Sequence, residues 1–243
     1  MDFSSLPKVK TTKDDIKNNR CFIDGKEYPL FVGKIIKMLS KGVQPRILIL
    51  ADPGMGKTWA AGRLSEILHN ELEVLSGKFK PEKQLLADPL KFSEKVRNER
   101  RKILSVPDAD SVFPSDEYHT AKNKANRDLI YLSRRFSNIL LYDAHEMSKC
   151  SKAIRTNHNI RLVALGSGDS YKFEVKRIKR ENDTQTEEIE ELPLGFWKVD
   201  KPSNTTVERI EKLDEQEKED KIIESEDKMK LQRKKEKMKK KAF

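Results

Sequence analysis

The stretch Ile47–Leu64, ILILADPGMGKTWAAGRL, leaves this chain little choice of fold around it. Arg46 to Leu50 is an apolar run of strand length, and Lys57 to His69 places Ala60, Ala61, Leu64, Ile67 and Leu68 at the 3.6-residue period of a helix. Between them Ala51 takes the small-residue position of a P-loop (Walker A), followed by four residues and then Gly56, Lys57 and Thr58. Strand, glycine turn and helix in this order bring backbone N–H groups to a helix N-terminus, where phosphate oxygens bind. The residues expected to contact ATP are Asp52, Pro53, Gly54, Met55, Gly56, Lys57, Thr58 and Trp59. Lys57 neutralises the terminal phosphates and the Thr58 hydroxyl is placed to ligate Mg²⁺.

The rest of the chain suits such a motif. Its 243 residues are enough for one domain of ordinary size with appendages. Apolar runs recur at "ILSV" (103–106), "NILLY" (138–142) and "IRLVAL" (160–165), alternating with helical patterns at 88–102 and 117–135. That alternation predicts an α/β fold, a mainly parallel sheet sandwiched by helices. Asp24-Gly25 reads as a hairpin turn, and Phe31, Ile35, Ile36 and Leu39 as the stripe of a helix. "YKFEVKRI" and "LPLGFWKV" read as paired strands. We expect a flexible arm over 1–20, the P-loop domain over 21–202 and a charged helical or disordered tail over 203–243.

Composition excludes other classes. Cys21 and Cys150 lie far apart without a C-x-x-C spacing, which points to neither a disulfide framework nor a zinc site. His69, His119, His145 and His158 share no metal-ligand spacing. No apolar leader and no run of eighteen apolar residues occurs, so neither export nor membrane insertion is expected, and a cytoplasmic protein is. The net charge of +10 favours polyanions. The end of the chain, "KMKLQRKKEKMKKKAF", can grip nucleic-acid phosphates without reading sequence, or can be a solvated tail.

A phosphate cradle needs an acid for Mg²⁺ and water at the end of a neighbouring strand. Two places compete: Asp143, with Glu146 three residues later, after "ILLY"; and Asp108, with Asp110, after "ILSVP". From these residues alone both remain open.

The order of pieces from about residue 46 to 166 resembles the FtsK/HerA superfamily of DNA-pumping ATPases, especially its zonular occludens toxin-like and viral genome-packaging branch. The resemblance rests on "ILSVPDADSVFP", a helix ending in "LSRRF", the strand "NILLYDAH", then "MSKCSKAIRTNHN" and "IRLVAL". It implies ATP and Mg²⁺ as cofactors, DNA as partner and a homo-oligomeric ring, in a cytoplasmic protein of viral or cellular origin. It also implies that Asp108 orients water or holds metal with help from Asp110 or Asp143, that His145 or Asp143 senses the γ-phosphate, and that Arg134 or Arg135 reaches a neighbouring subunit's site. Those two arginines read equally well as solvated helix-end residues, and Arg155 is a weaker candidate. The chain departs from the family at Pro107, where an aspartate is usual, and at Asp143-Ala144-His145, where a glutamine sensor is usual. The alternatives are a scaffold that binds nucleotide with little turnover and a generic P-loop ATPase that uses Asp143 and Glu146 as its Walker B acids.

Overall fold

Ile47, Leu48 and Ile49 have no solvent exposure, because the strand that carries them lies in the middle of a sheet covered on both faces. In this computed structural model the described residues are 6–115, 128, 133, 136–166, 171–182, 187–216, 218–219 and 223, with the side chains of 180–182 and 187–189 excepted. They divide into two units, Met1–Ser203 and Asn204–Phe243.

The first unit opens with β1 (Val9–Lys10), α1 (Lys13–Lys17), β2 (Arg20–Ile23), β3 (Lys26–Pro29) and α2 (Leu30–Ser40). β1, β2 and β3 form a small antiparallel sheet, its hairpin turned at Asp24 and Gly25, whose φ values are 50° and 85°. The left-handed pair is the turn chemistry that Asp-Gly favours. Here the expectation of a flexible arm over 1–20 is corrected, for residues 9–17 carry a strand and a helix. A capping box holds them: the Asp15 N–H donates to Thr12 Oγ1 at 3.1 Å, and the Thr12 N–H donates to Asp15 Oδ2 at 2.9 Å. Lysine-rich composition concealed that local hydrogen bonding. α2 packs closely on the small sheet at Gly33, where a Cβ would stand 2.8 Å from Cys21 Sγ and 2.9 Å from Val9.

The main sheet consists of β4 (Arg46–Leu50), β5 (Ile103–Val106), β6 (Ile139–Ala144), β7 (Ile160–Ala164), β8 (Lys172–Asn182) and β9 (Glu187–Lys198) in the spatial order β5-β6-β4-β7-β8-β9. The first four run parallel, and β8 and β9 extend the sheet antiparallel. This is the α/β sheet flanked by helices that a P-loop NTPase fold requires. α3 (Lys57–Glu66) continues into a π-helical turn, Ile67–Glu71, and α4 (Pro81–Gln84), α5 (Pro89–Asn98) and α6 (Ala109–Val112) follow. On one face Phe92, Phe113, Tyr142, Leu104, Leu140 and Ile154 form a closed core. Burying a residue of this kind contributes roughly 1.5–3 kcal/mol.

The expected helix over 117–135 lies outside the described residues, apart from Asp128 and Ser133, which are helical. Cys21 and Cys150 are both buried free thiols. In the second unit residues 204–216 are helical, with Val207, Ile210 and Leu213 as the apolar stripe. Among the described residues no helix is long and apolar enough to cross a membrane.

Candidate functional site

The loop after β4 is built by its glycines. The Ala51 N–H donates to the Ala144 carbonyl at 3.2 Å, tying the start of the loop to β6, and the Met55 N–H donates to Asp52 at 3.2 Å. Gly54 and Gly56 adopt φ of 78° and 73°, the left-handed region that side chains avoid. Gly56 caps α3, whose ladder begins as the Ala60 N–H donates to the Gly56 carbonyl at 2.9 Å. Asp52, Pro53 and Gly54 are exposed, Met55, Gly56, Thr58 and Trp59 are half-buried, and Lys57 is buried. A turn of successive N–H groups at a helix N-terminus is a phosphate cradle.

Strand order brings the chemistry to it. β6 lies between β4 and β5, so the ends of both candidate acid strands converge beside Lys57. Lys57 Nζ stands 2.7 Å from Asp108 Oδ1, and His145 Nε2 approaches the same oxygen at 3.3 Å. Asp108 adopts φ 45° and ψ 51°, an uncommon left-handed conformation for a non-glycine residue. Its N–H donates to Asp143 Oδ1 at 2.8 Å, which holds the bend in place. Asp108 and Asp143 are therefore parts of one site, where the sequence offered them as competitors.

Asp143 is wholly buried, and burial pushes its carboxyl up to about 7, against the pull of Lys57. Its Oδ2 has no hydrogen-bond partner at normal distance among the described residues, the Thr58 hydroxyl standing near enough to ease the pKa downward. Burial works against the Lys57 charge too, but Asp143 and then Asp108 outweigh it and hold the ammonium above its ordinary pKa.

Asp110 has a different place. Its Oδ2 accepts from the His145 N–H at 3.0 Å and the Glu146 N–H at 3.4 Å, so it shapes the chain as it leaves β6. The Glu146 carboxylate is exposed and bound to Lys149 at 2.7 Å and Ser148 at 3.2 Å. Glu146 thus turns to its own helical turn, and Asp143 is the acid of that strand which stands at Lys57. Arg134 and Arg135 lie outside the described residues, as does His119. Arg155 sits on the helix Lys152–Asn157, near enough to Cys150 to bear on its thiol.

Two histidines are structural. His69 Nε2 accepts from the Ile103 N–H at 3.1 Å while Nδ1 lies 3.2 Å from the Gly77 carbonyl, and burial lowers the ring's pKa to about 4. His158 is buried with Nδ1 3.1 Å from the Ile154 carbonyl.

The donor set fits Mg²⁺ held with a nucleotide. Among the described residues no group of three or more His, Cys, Asp or Glu could hold a metal alone. Mg²⁺ is commonly held by one or two carboxylates together with substrate phosphates and water. Thr58 and the unsatisfied Asp143 Oδ2 are hard oxygen donors of that kind. A concavity of about 500 Å³ opens beside the loop, lined by Asp52, Met55, His145, Val163 and Gly166 among others.

Sequence reasoning missed Tyr171. Its ring lies against Gly56, where a Cβ would come within 2.4 Å of it, and meets Trp59 edge-on at 5.5 Å. No pattern signals that contact, because Tyr171 reaches the loop only through the pairing of β7, β8 and β9.

Fold and loop together define a P-loop NTPase-type domain. No protein-family model matches the sequence, and no curated protein matches it significantly. Among solved structures the chain is similar to the N-terminal domain of zonular occludens toxin from Neisseria meningitidis, with a TM-score of 0.40 and 13% identity over 61% of this chain and 94% of that one.

Proposed function

We propose that this chain is an ATPase that binds ATP with Mg²⁺ at the Ala51–Thr58 loop and couples its hydrolysis to movement along DNA. The observation that carries the ATPase reading is the convergence of Lys57, Asp108, Asp143 and His145 on one point, 2.7 Å and 3.3 Å separating Asp108 Oδ1 from the lysine and histidine nitrogens. Loop amides and Lys57 bind the β- and γ-phosphates. Thr58 and Asp143 would hold Mg²⁺, which would neutralise charge on the phosphates. When a triphosphate takes over Lys57, Asp108 is released from that ion pair and stays beside His145 Nε2. It then orients water and accepts its proton, with His145 sharing the charge. Asp110 holds the His145 backbone in register for this.

The DNA part of the proposal is supported by the net charge of +10 and the lysine-rich end of the chain, and by the order of motifs along the sequence. A ring completed by Arg134 or Arg135 from a neighbour belongs to the same reading. A second reading, a nucleotide-stabilised scaffold, draws on Pro107, which leaves the end of β5 with one carboxylate fewer than the motif usually has.

The test is ATP hydrolysis with and without double-stranded DNA, for the natural chain, Lys57→Ala and Asp108→Asn. DNA-stimulated turnover lost in both variants is the expected result. Tight ATP binding with no turnover under either condition overturns the motor and leaves the scaffold.

A further inference from the structure

The two sides of the cradle differ in chemistry. Asp108, Asp143 and His145 all stand at the ends of β5 and β6, on one side of β4. On the other side of β4 lie β7 and then β8. There Trp59, in the first turn of α3, and Tyr171, immediately before β8, form an aromatic corner with centroids 5.5 Å apart and planes at 79°. Both residues are half-buried and stand beside the proposed phosphate-binding loop.

Tyr171 is held there by the sheet. The Val199 N–H donates to its carbonyl at 2.8 Å, and the Leu165 N–H donates to Lys172 at 2.9 Å. Its ring rests against Gly56, which has room for it only because the glycine lacks a side chain. Trp59 follows Lys57 and Thr58 in the first turn of α3, and Tyr171, beside Gly56, comes from the strands on the side of β4 away from Asp108, so this aromatic pair flanks the loop opposite the acids.

We propose that Trp59 and Tyr171 form the subsite for the nucleobase, a planar heteroaromatic ring that stacks on one side chain and meets the edge of the other. This rests on the phosphate-cradle reading above and goes beyond it by assigning the direction in which the nucleotide lies. Stacking is tolerant of base identity and is worth roughly 5- to 150-fold in affinity when one aromatic is truncated.

The experiment compares Mg·ATP with inorganic tripolyphosphate, which has the phosphates and no base, by titration calorimetry on the full chain. Tyr171→Ala and Trp59→Ala are each expected to weaken ATP by about 5- to 150-fold and leave tripolyphosphate within about twofold, with Tyr171→Phe restoring ATP affinity. Tryptophan emission of the natural chain is a second readout that needs no variant. Trp197 is buried against Phe31, so a change produced by ATP and not by tripolyphosphate reports Trp59. Equal weakening of both ligands overturns the base subsite and makes the pair a support for the loop. Unchanged ATP affinity in both alanine variants also overturns it. If the natural chain binds neither ligand, the cradle reading itself has failed.

Discussion

Lys57 and Asp108 are joined beside the Ala51–Thr58 loop, Nζ to Oδ1 at 2.7 Å, in a pair that the phosphates of the proposed nucleotide would have to break. Lys57 comes from the first residue of α3 and Asp108 from the bend after β5, two strands away from β4. Removing the anion that competes with phosphate while keeping its shape separates binding from chemistry. Asp108→Asn is expected to bind ATP at least as tightly as the natural chain, while turnover falls about 10²–10⁴-fold. Calorimetry beside a steady-state assay checks both halves, and lost binding would instead make Asp108 a nucleotide-holding residue.

Asp110 satisfies two backbone N–H groups where β6 ends, at 3.0 Å and 3.4 Å. Asp110→Ala strands them and frees the segment that carries His145, at a stability cost of roughly 1–3 kcal/mol. Turnover is expected to drop with little change in ATP affinity, because Asp110 does not form part of the loop. Denaturant titration and a separation of kcat from binding affinity test this; a large loss of affinity would contradict it.

The two P-loop glycines predict different outcomes. A Cβ at Gly54 meets nothing within 4 Å, so Gly54→Ala adds only the strain of a positive φ, about 1 kcal/mol. A Cβ at Gly56 comes 2.4 Å from the Tyr171 ring as well. Gly56→Ala should therefore be markedly the less stable variant, and Tyr171→Ala in the same chain should recover part of the loss. Thermal unfolding of the three variants measures the order.

His69 gives a pH dependence. Its pKa is about 4 in the folded chain, below the ordinary 6.5, because burial disfavours the charged ring. A depressed pKa means stability that is full above about 6.5 and declines as pH falls toward about 4, while the unfolded chain takes up the proton first. The term is on the order of 3 kcal/mol. His69→Gln, which keeps an acceptor for the Ile103 N–H, should flatten this part of the curve in urea unfolding between pH 4 and 7.

Much of this was legible locally. The P-loop reads from eight residues because its conformation depends on glycines and on the elements that touch it directly. The Asp24-Gly25 turn and β4, β5, β6 and β7 read for the same reason: a two-residue turn and a short apolar strand with a buried centre or face are each specified by their own side chains. At the N-terminus that reasoning failed, since the hydrogen bonds between Thr12 and Asp15 outweighed a polar composition.

By itself the sequence determined the phosphate cradle, the alternation of strands and helices, and the list of acids that could serve it. Only tertiary structure decided where those acids stand. The order β5-β6-β4 brings Asp108 and Asp143 together as donor and acceptor at 2.8 Å, although 35 positions separate them along the chain. The pairing of β7, β8 and β9 on the other side of β4 sets Tyr171 against Gly56. The physical reason is that strand order and sheet pairing are long-range choices, made by burial of whole faces, and a residue's neighbours across a sheet leave no mark in its own segment of sequence.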